Sequence, residues 1–124
     1  MTIGRLLFAG LLVLTALPGC GSADDPEKAK QQCEDLVARF CTSAFSCAVS
    51  GGLIEASAKE SEIATCKSDA AEAVECKRAQ SVTSSYDLCM SKLANPPCDE
   101  LNRAFMAGTL QLPAECQGVI LVPV

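Results

Sequence analysis

Cysteine is the residue type in this chain best placed to do chemistry. The 124 residues hold nine Cys, no His and no Trp. Thiolates ligate metals, attack substrates, exchange with disulfides or close structural bridges, and spacing separates these uses. Cys33, Cys41, Cys47, Cys66, Cys76, Cys89, Cys98 and Cys116 are separated by 7, 5, 18, 9, 12, 8 and 17 residues. No Cys-x-x-Cys pair occurs, so the tight pair that zinc sites, clusters and thioredoxin-like redox centres use is missing. Without His there is no Ser-His-Asp triad, no Cys–His pair, no HExxH zinc site and no imidazole base. No metal and no cofactor is therefore expected. An even set of eight cysteines at this density reads as a disulfide scaffold of four bridges in an exported protein.

The other reactive groups form no convincing constellation. Glu72 and Glu75, at helical spacing, are a formal acid–base pair, but a solvated helix face is the simpler reading. No Ser-x-x-Lys, Gly-rich phosphate loop or Asp-rich calcium loop is present. The chain carries 10 Lys+Arg against 15 Asp+Glu, net −5. This balance argues against nucleic acid as a partner. The expectation is that the protein is not an enzyme.

The ninth cysteine closes a different kind of segment. After Arg5, the run from Leu6 to Leu17 holds no charge. It is shorter than the roughly 20 apolar residues a transmembrane helix needs, and it matches the apolar core of a signal peptide. A buried N-terminal helix is disfavoured because the run has no polar face. The run ends Leu17-Pro18-Gly19-Cys20, which resembles the lipobox of bacterial lipoproteins. The resemblance implies cleavage before Cys20 and lipid on its thiol and new amino terminus, so that the membrane itself becomes a partner. Pro18 departs from the usual small or branched residue. Gly21-Ser22 in place of an acidic residue implies, by likeness to sorted lipoproteins, the outer membrane. Without lipidation, Cys20 would enter a disulfide of an ordinary secreted protein. Removing Arg5, the leader's one charge, takes the side-chain total from −5 to −6. The organisation expected is a signal peptide over 1–19, a lipidated tether over 20–25 and a disulfide-rich helical domain over 26–124.

The elements that position the eight cysteines are helical. Asp24 or Asp25 before Pro26 is a helix start. Helix 1 is expected from Pro26 to about Val49, with Cys33, Leu36, Val37, Phe40, Cys41, Ala44, Cys47 and Ala48 on one face. Gly51-Gly52 stops it. Ser57-Ala-Lys-Glu60 has capping-box form, and helix 2 is expected from about Ser61 to Ala79, with an Ala-rich stripe. After a polar break at 81–85, helix 3 is expected over about 84–93, with Val82, Tyr86, Cys89, Met90 and Leu93 in register. Asn95-Pro96-Pro97 ends it. Helix 4 follows from Pro97 to about Met106, and Gly108 ends it. Residues 109–124 are expected as an extended tail, held by Cys116, whose apolar end Val119–Val122 packs across the helices or offers a docking edge. The fold class is all-α: a small disulfide-rich bundle of about four helices.

Eight cysteines permit 105 pairings. Facing residues of an antiparallel helix pair keep a roughly constant index sum, and on that ground Cys47–Cys66 and Cys41–Cys76 are expected to staple helices 1 and 2. Cys33–Cys89 would then hold helix 3, and Cys98–Cys116 the tail.

The helix-borne cysteines, the Ala-rich composition and the closing Leu112-Pro-Ala-Glu-Cys116-Gln-Gly resemble small Cys-rich lipoproteins of the myxobacterial type, mostly without assigned function. Cys66-x9-Cys76 also has the interval of mitochondrial twin-Cys hairpins, but Cys41-x5-Cys47 does not. The function expected is a non-catalytic envelope lipoprotein, a structural or binding module with a protein partner in the cell envelope. The alternative is a secreted inhibitor or effector presenting a loop, Ser50–Lys59 or Gly108–Pro113. A redox carrier would need a labile disulfide. Because four bridges at about 2–4 kcal/mol each rival the whole stability of a small domain, full reduction is expected to unfold the protein. Circular dichroism that stayed helical and cooperative at about 37 °C after reduction would contradict this.

Overall fold

The computed structural model describes residues 25–124. The expected signal peptide, tether and Cys20 lie outside the described residues. The fold is an all-α, disulfide-rich bundle of four helices: α1 (Pro26–Ser50), α2 (Lys59–Ala73), α3 (Tyr86–Ala94) and α4 (Cys98–Met106).

Helix α1 is the spine. Asp25 caps it by accepting the Lys28 amide at 3.2 Å, and Pro26 occupies the first turn, where no amide donor is needed. At its other end Gly52 takes a left-handed φ of 72°. The Leu53 amide reaches back to the Ala48 carbonyl and the Gly52 amide to that of Val49, a Schellman stop. Gly108 (φ 69°) ends α4 in the same way, with Thr109 bonded to Ala104. Both glycine stops stand where the sequence puts them.

The buried face of α1 carries Cys33, Leu36, Val37, Phe40, Cys41, Ala44, Cys47 and Ala48, as expected, and also Ala29 and Phe45. Phe45 widens the apolar arc because α1 is covered by more than one neighbour. Its ring meets Phe105 of α4 edge to face, 5.7 Å between centroids. Helix α3 is held to α1 by polar links as well: Ser43 Oγ donates to the Leu93 carbonyl at 2.7 Å, and Tyr86 Oη to that of Gln32 at 3.3 Å.

Helix α2 departs from expectation at both ends. Ser57 lies within a short 3-10 turn, Ala56–Ala58, and no side chain caps α2, so the capping box does not form. At the far end α2 stops at Ala73 rather than Ala79. Glu75 takes the left-handed conformation (φ 62°, ψ 47°), and a second 3-10 turn covers Cys76–Arg78. This conformation is uncommon for a residue with a Cβ. The Arg78 guanidinium contacts the Glu75 carboxylate at 2.6 Å and donates to the Pro123 carbonyl at 3.0 Å.

Val82 does not belong to the α3 stripe. With Ser81 it forms strand β1 (Ser81–Val82), which pairs antiparallel with β2 (Ile120–Leu121). The tail is thus an irregular strap with one 3-10 turn at Ala114–Cys116. Val119 is buried, whereas Leu121 is 46% exposed.

All eight cysteines are joined: Cys33–Cys76, Cys41–Cys66, Cys47–Cys98 and Cys89–Cys116. None of the four expected pairings is present. The antiparallel α1–α2 hairpin is correct, and its two bridges keep a nearly constant index sum, but the register is different. Cys66 lies about two turns inside α2, and Cys41 lies a little over two turns before the end of α1. Cys47 lies within the last turn of α1, too close to the connection to face Cys66. Cys76 falls correspondingly deeper, opposite Cys33. Cys47 is left for Cys98, the first residue of α4. Since α3 docks on α1 through Ser43 and Tyr86, its Cys89 is free to hold the tail through Cys116.

Gly51 is needed for space rather than for φ. At φ −83° and ψ −1° it occupies a conformation open to any residue, but a Cβ there would lie 2.5 Å from the Asn102 Nδ2. That nitrogen donates to the Cys47 carbonyl at 3.1 Å, while the Asn102 Oδ1 is buried without a partner. Gly51→Ala is expected to cost about 1–2 kcal/mol by displacing the amide. Denaturant unfolding should show that this cost largely disappears in an Asn102→Ala background; an equal cost in both backgrounds would refute the contact.

Candidate functional site

An open groove of about 700 Å³ lies between α1, α2 and the segment after α4. Its floor is Phe40 and Phe45 of α1. One wall is the small-residue side of α2, including Cys66, Ala70, Ala73 and Val74. The other is Leu110 and Leu112, with the amides of Gln111 and Gln117 beside them. The α2 side chains are short, so the groove stays open where a bulkier stripe would fill it.

Two bridges set these walls. Cys66 lines the groove and is joined to buried Cys41, which fixes α2 against the spine. Cys116, joined to Cys89, anchors the segment that follows Leu112. Gln117 Nε2 donates to the Leu112 carbonyl at 3.2 Å and closes that wall on itself. Polar groups are few. Thr65 Oγ1 is turned back onto its own helix, donating to the Ser61 carbonyl at 3.2 Å. Glu62 and Asp69 stand on the α2 rim, both exposed.

Of the eight cysteines singled out in the sequence, Cys33, Cys41, Cys47, Cys76, Cys89 and Cys116 are buried, and Cys66 and Cys98 are partly exposed. All serve as bridges. Glu72 and Glu75 do not share a helix face, because α2 ends between them and the Glu75 carboxylate turns to Arg78. Of the two loops considered for presentation, Gly108–Pro113 supplies the groove wall. Phe45 was missed by the sequence reading. Its position four residues after Cys41 and eight after Val37 is the signal that would have included it.

The pairing of all eight cysteines in a domain this small belongs to an oxidising, exported environment. Among the described residues no helix is long and apolar enough to cross a membrane. The class is thus a small all-α domain stapled by four disulfides. No family model matches the chain, and no curated protein or solved structure matches it significantly.

Tyr86 has a shifted titration. Burial raises its phenol above the ordinary value of 10.0, and the nearby carboxylates of Asp35 and Asp87 add to this, offset in part by Arg39. The folded state therefore holds the proton more tightly than the unfolded one. That contribution to stability is complete below the ordinary phenol range and is lost as pH rises through the raised value. The chain has one Tyr and no Trp, so phenolate absorbance near 295 nm reports this group alone. The titration is expected above that of a model phenol, and Tyr86→Phe should lose this part of the alkaline destabilisation. A native titration at the model value would remove the effect.

Proposed function

We propose that this protein is a non-catalytic envelope lipoprotein: a disulfide-stapled binding or structural module held at the membrane surface by lipid on Cys20. The observation that carries the reading is that bridges consume every cysteine from Cys33 onward. That leaves Cys20 outside the four bridges, and it directly follows Leu17-Pro18-Gly19 after an uncharged apolar run.

The physical consequence is a durable attachment. Each buried CH₂ contributes about 0.8 kcal/mol; one chain anchors marginally, but several chains on one residue do not readily leave a leaflet. Six residue steps lead from Cys20 to Pro26, a reach of at most about 22 Å when extended. The domain would therefore sit close to the bilayer, with the start of α1 nearest to it. The outer membrane is the location proposed, on the strength of Gly21-Ser22. A role in binding is supported by the preformed groove between α2 and the segment after α4.

Intact-mass analysis and membrane fractionation of the wild type and Cys20→Ser test the reading. The wild type is expected to sediment with membranes, carrying the mass of its acyl chains and lacking its leader, and the variant to carry no acyl mass and to keep its leader. Globomycin, which blocks the lipoprotein-specific peptidase, should leave the wild type with its leader attached. An unlipidated wild type recovered from the culture supernatant would overturn the anchor and favour a secreted inhibitor or effector.

A further inference from the structure

We propose that the groove between α2 and the Leu110–Leu112 segment binds an amphiphilic organic cation, a small molecule with an apolar body and a protonated amine. The inference rests on the binding part of the function proposed above and is independent of the lipid.

Three observations lead to this chemistry. The first is size. At about 700 Å³ the groove falls within the range of small-molecule sites.

The second is charge. The floor is apolar and the walls mostly so, no Lys or Arg lines the groove, and the charges present are the carboxylates of Glu62 and Asp69. Among the described residues the ion pairs are Lys30–Glu27, Arg78–Glu75 and Lys92–Glu115, so neither rim carboxylate is neutralised by a partner. The two lie seven positions apart on α2, on one side of the helix and about 10 Å apart along its axis. That distance is too long for them to ligate one metal ion directly, since Ca²⁺–oxygen contacts are about 2.3–2.6 Å. It suits a cation moving along the rim while its apolar body occupies the floor. An anionic headgroup would meet two like charges and no counter-charge.

The third is rigidity. Cys41–Cys66 and Cys89–Cys116 hold the opposite walls, so the groove is present before any ligand arrives and little ordering is needed on binding.

The test uses two fluorescent probes of matched shape and opposite charge: dansylcadaverine, with a protonated amine, and dansyl-6-aminohexanoate, with a carboxylate. The protein is the disulfide-bonded chain from Gly21 onward, exported behind a leader that the general signal peptidase removes, so that neither acyl chain nor leader competes for the dye. The amine probe is expected to bind saturably with a blue-shifted emission, and the carboxylate probe at least about tenfold more weakly. Glu62→Gln combined with Asp69→Asn, both on exposed positions, should weaken the amine probe about three- to tenfold and narrow the gap between the probes. Ala73→Trp, which fills the wall from an exposed position, should weaken the amine probe at least as much. Thermal unfolding checks that each variant is folded. Equal affinity for the two probes, absence of saturable binding, or an unaffected carboxylate double variant would overturn the proposal. The lipid anchor is tested by mass, so failure of either is distinguishable from failure of the other.

Discussion

Everything in this fold depends on the buried face of α1. Cys33, Cys41 and Cys47 leave the same face of one helix, and each holds a different place in the chain: the turn after α2, the middle of α2 and the start of α4. The bridges close intervals of 25 to 51 residues. In the chain-entropy account this restricts the unfolded state by about 3–4 kcal/mol per bridge. The side chains between them, Leu36, Val37, Phe40 and Ala44, form the apolar centre, so the covalent and hydrophobic contributions occupy one surface. The fourth bridge, Cys89–Cys116, extends the same device to the tail, which has little packing of its own.

This arrangement explains why helices with little intrinsic support persist. Helix α2 has no capping side chain, and Ile63 is its one fully buried residue. A 15-residue helix of that kind would be marginal alone. Here it is pinned near its centre by Cys66 and just beyond its end by Cys76. Freed from the need to bury a wide apolar stripe, α2 can present short side chains to one side. The groove is a product of that freedom: a helix fixed by sulfur rather than by bulk leaves space beside it.

Much of the architecture was legible in the residues. Asp25-Pro26 and Gly51-Gly52 delimit α1, and Asn95-Pro96-Pro97 and Gly108 delimit the last two helices, because each acts through its own backbone. The apolar period of α1 identifies nearly all of its buried face. Signals needing a distant partner were not legible. Glu75 adopts a left-handed turn that its sequence does not announce, directly before the bridged Cys76. Ser81-Val82 becomes a strand because Ile120-Leu121 lies beside it. The candidate groove was legible only in pieces: the Ala stripe of α2, the loop 108–113 and the rim carboxylates were each visible, but nothing in the spacing puts them together.

The cysteines mark the boundary most clearly. Their number, parity and density, with the absence of His and of tight pairs, suffice to indicate a domain held by disulfide bridges. Which cysteine meets which depended on how deep each lies along the α1–α2 hairpin, and that depth was set by where the helices end. The connection from Ser50 to Lys59 sets Cys41 opposite Cys66 and Cys33 opposite Cys76, which leaves Cys47 for the start of α4. A bridge forms only between Cα atoms about 5–6 Å apart, here 4.7 to 5.8 Å, whereas each helical residue advances about 1.5 Å. A shift of a few residues therefore moves a cysteine out of reach of one partner and into reach of another. Composition determines that the bridges exist; the three-dimensional path of the backbone decides between which residues.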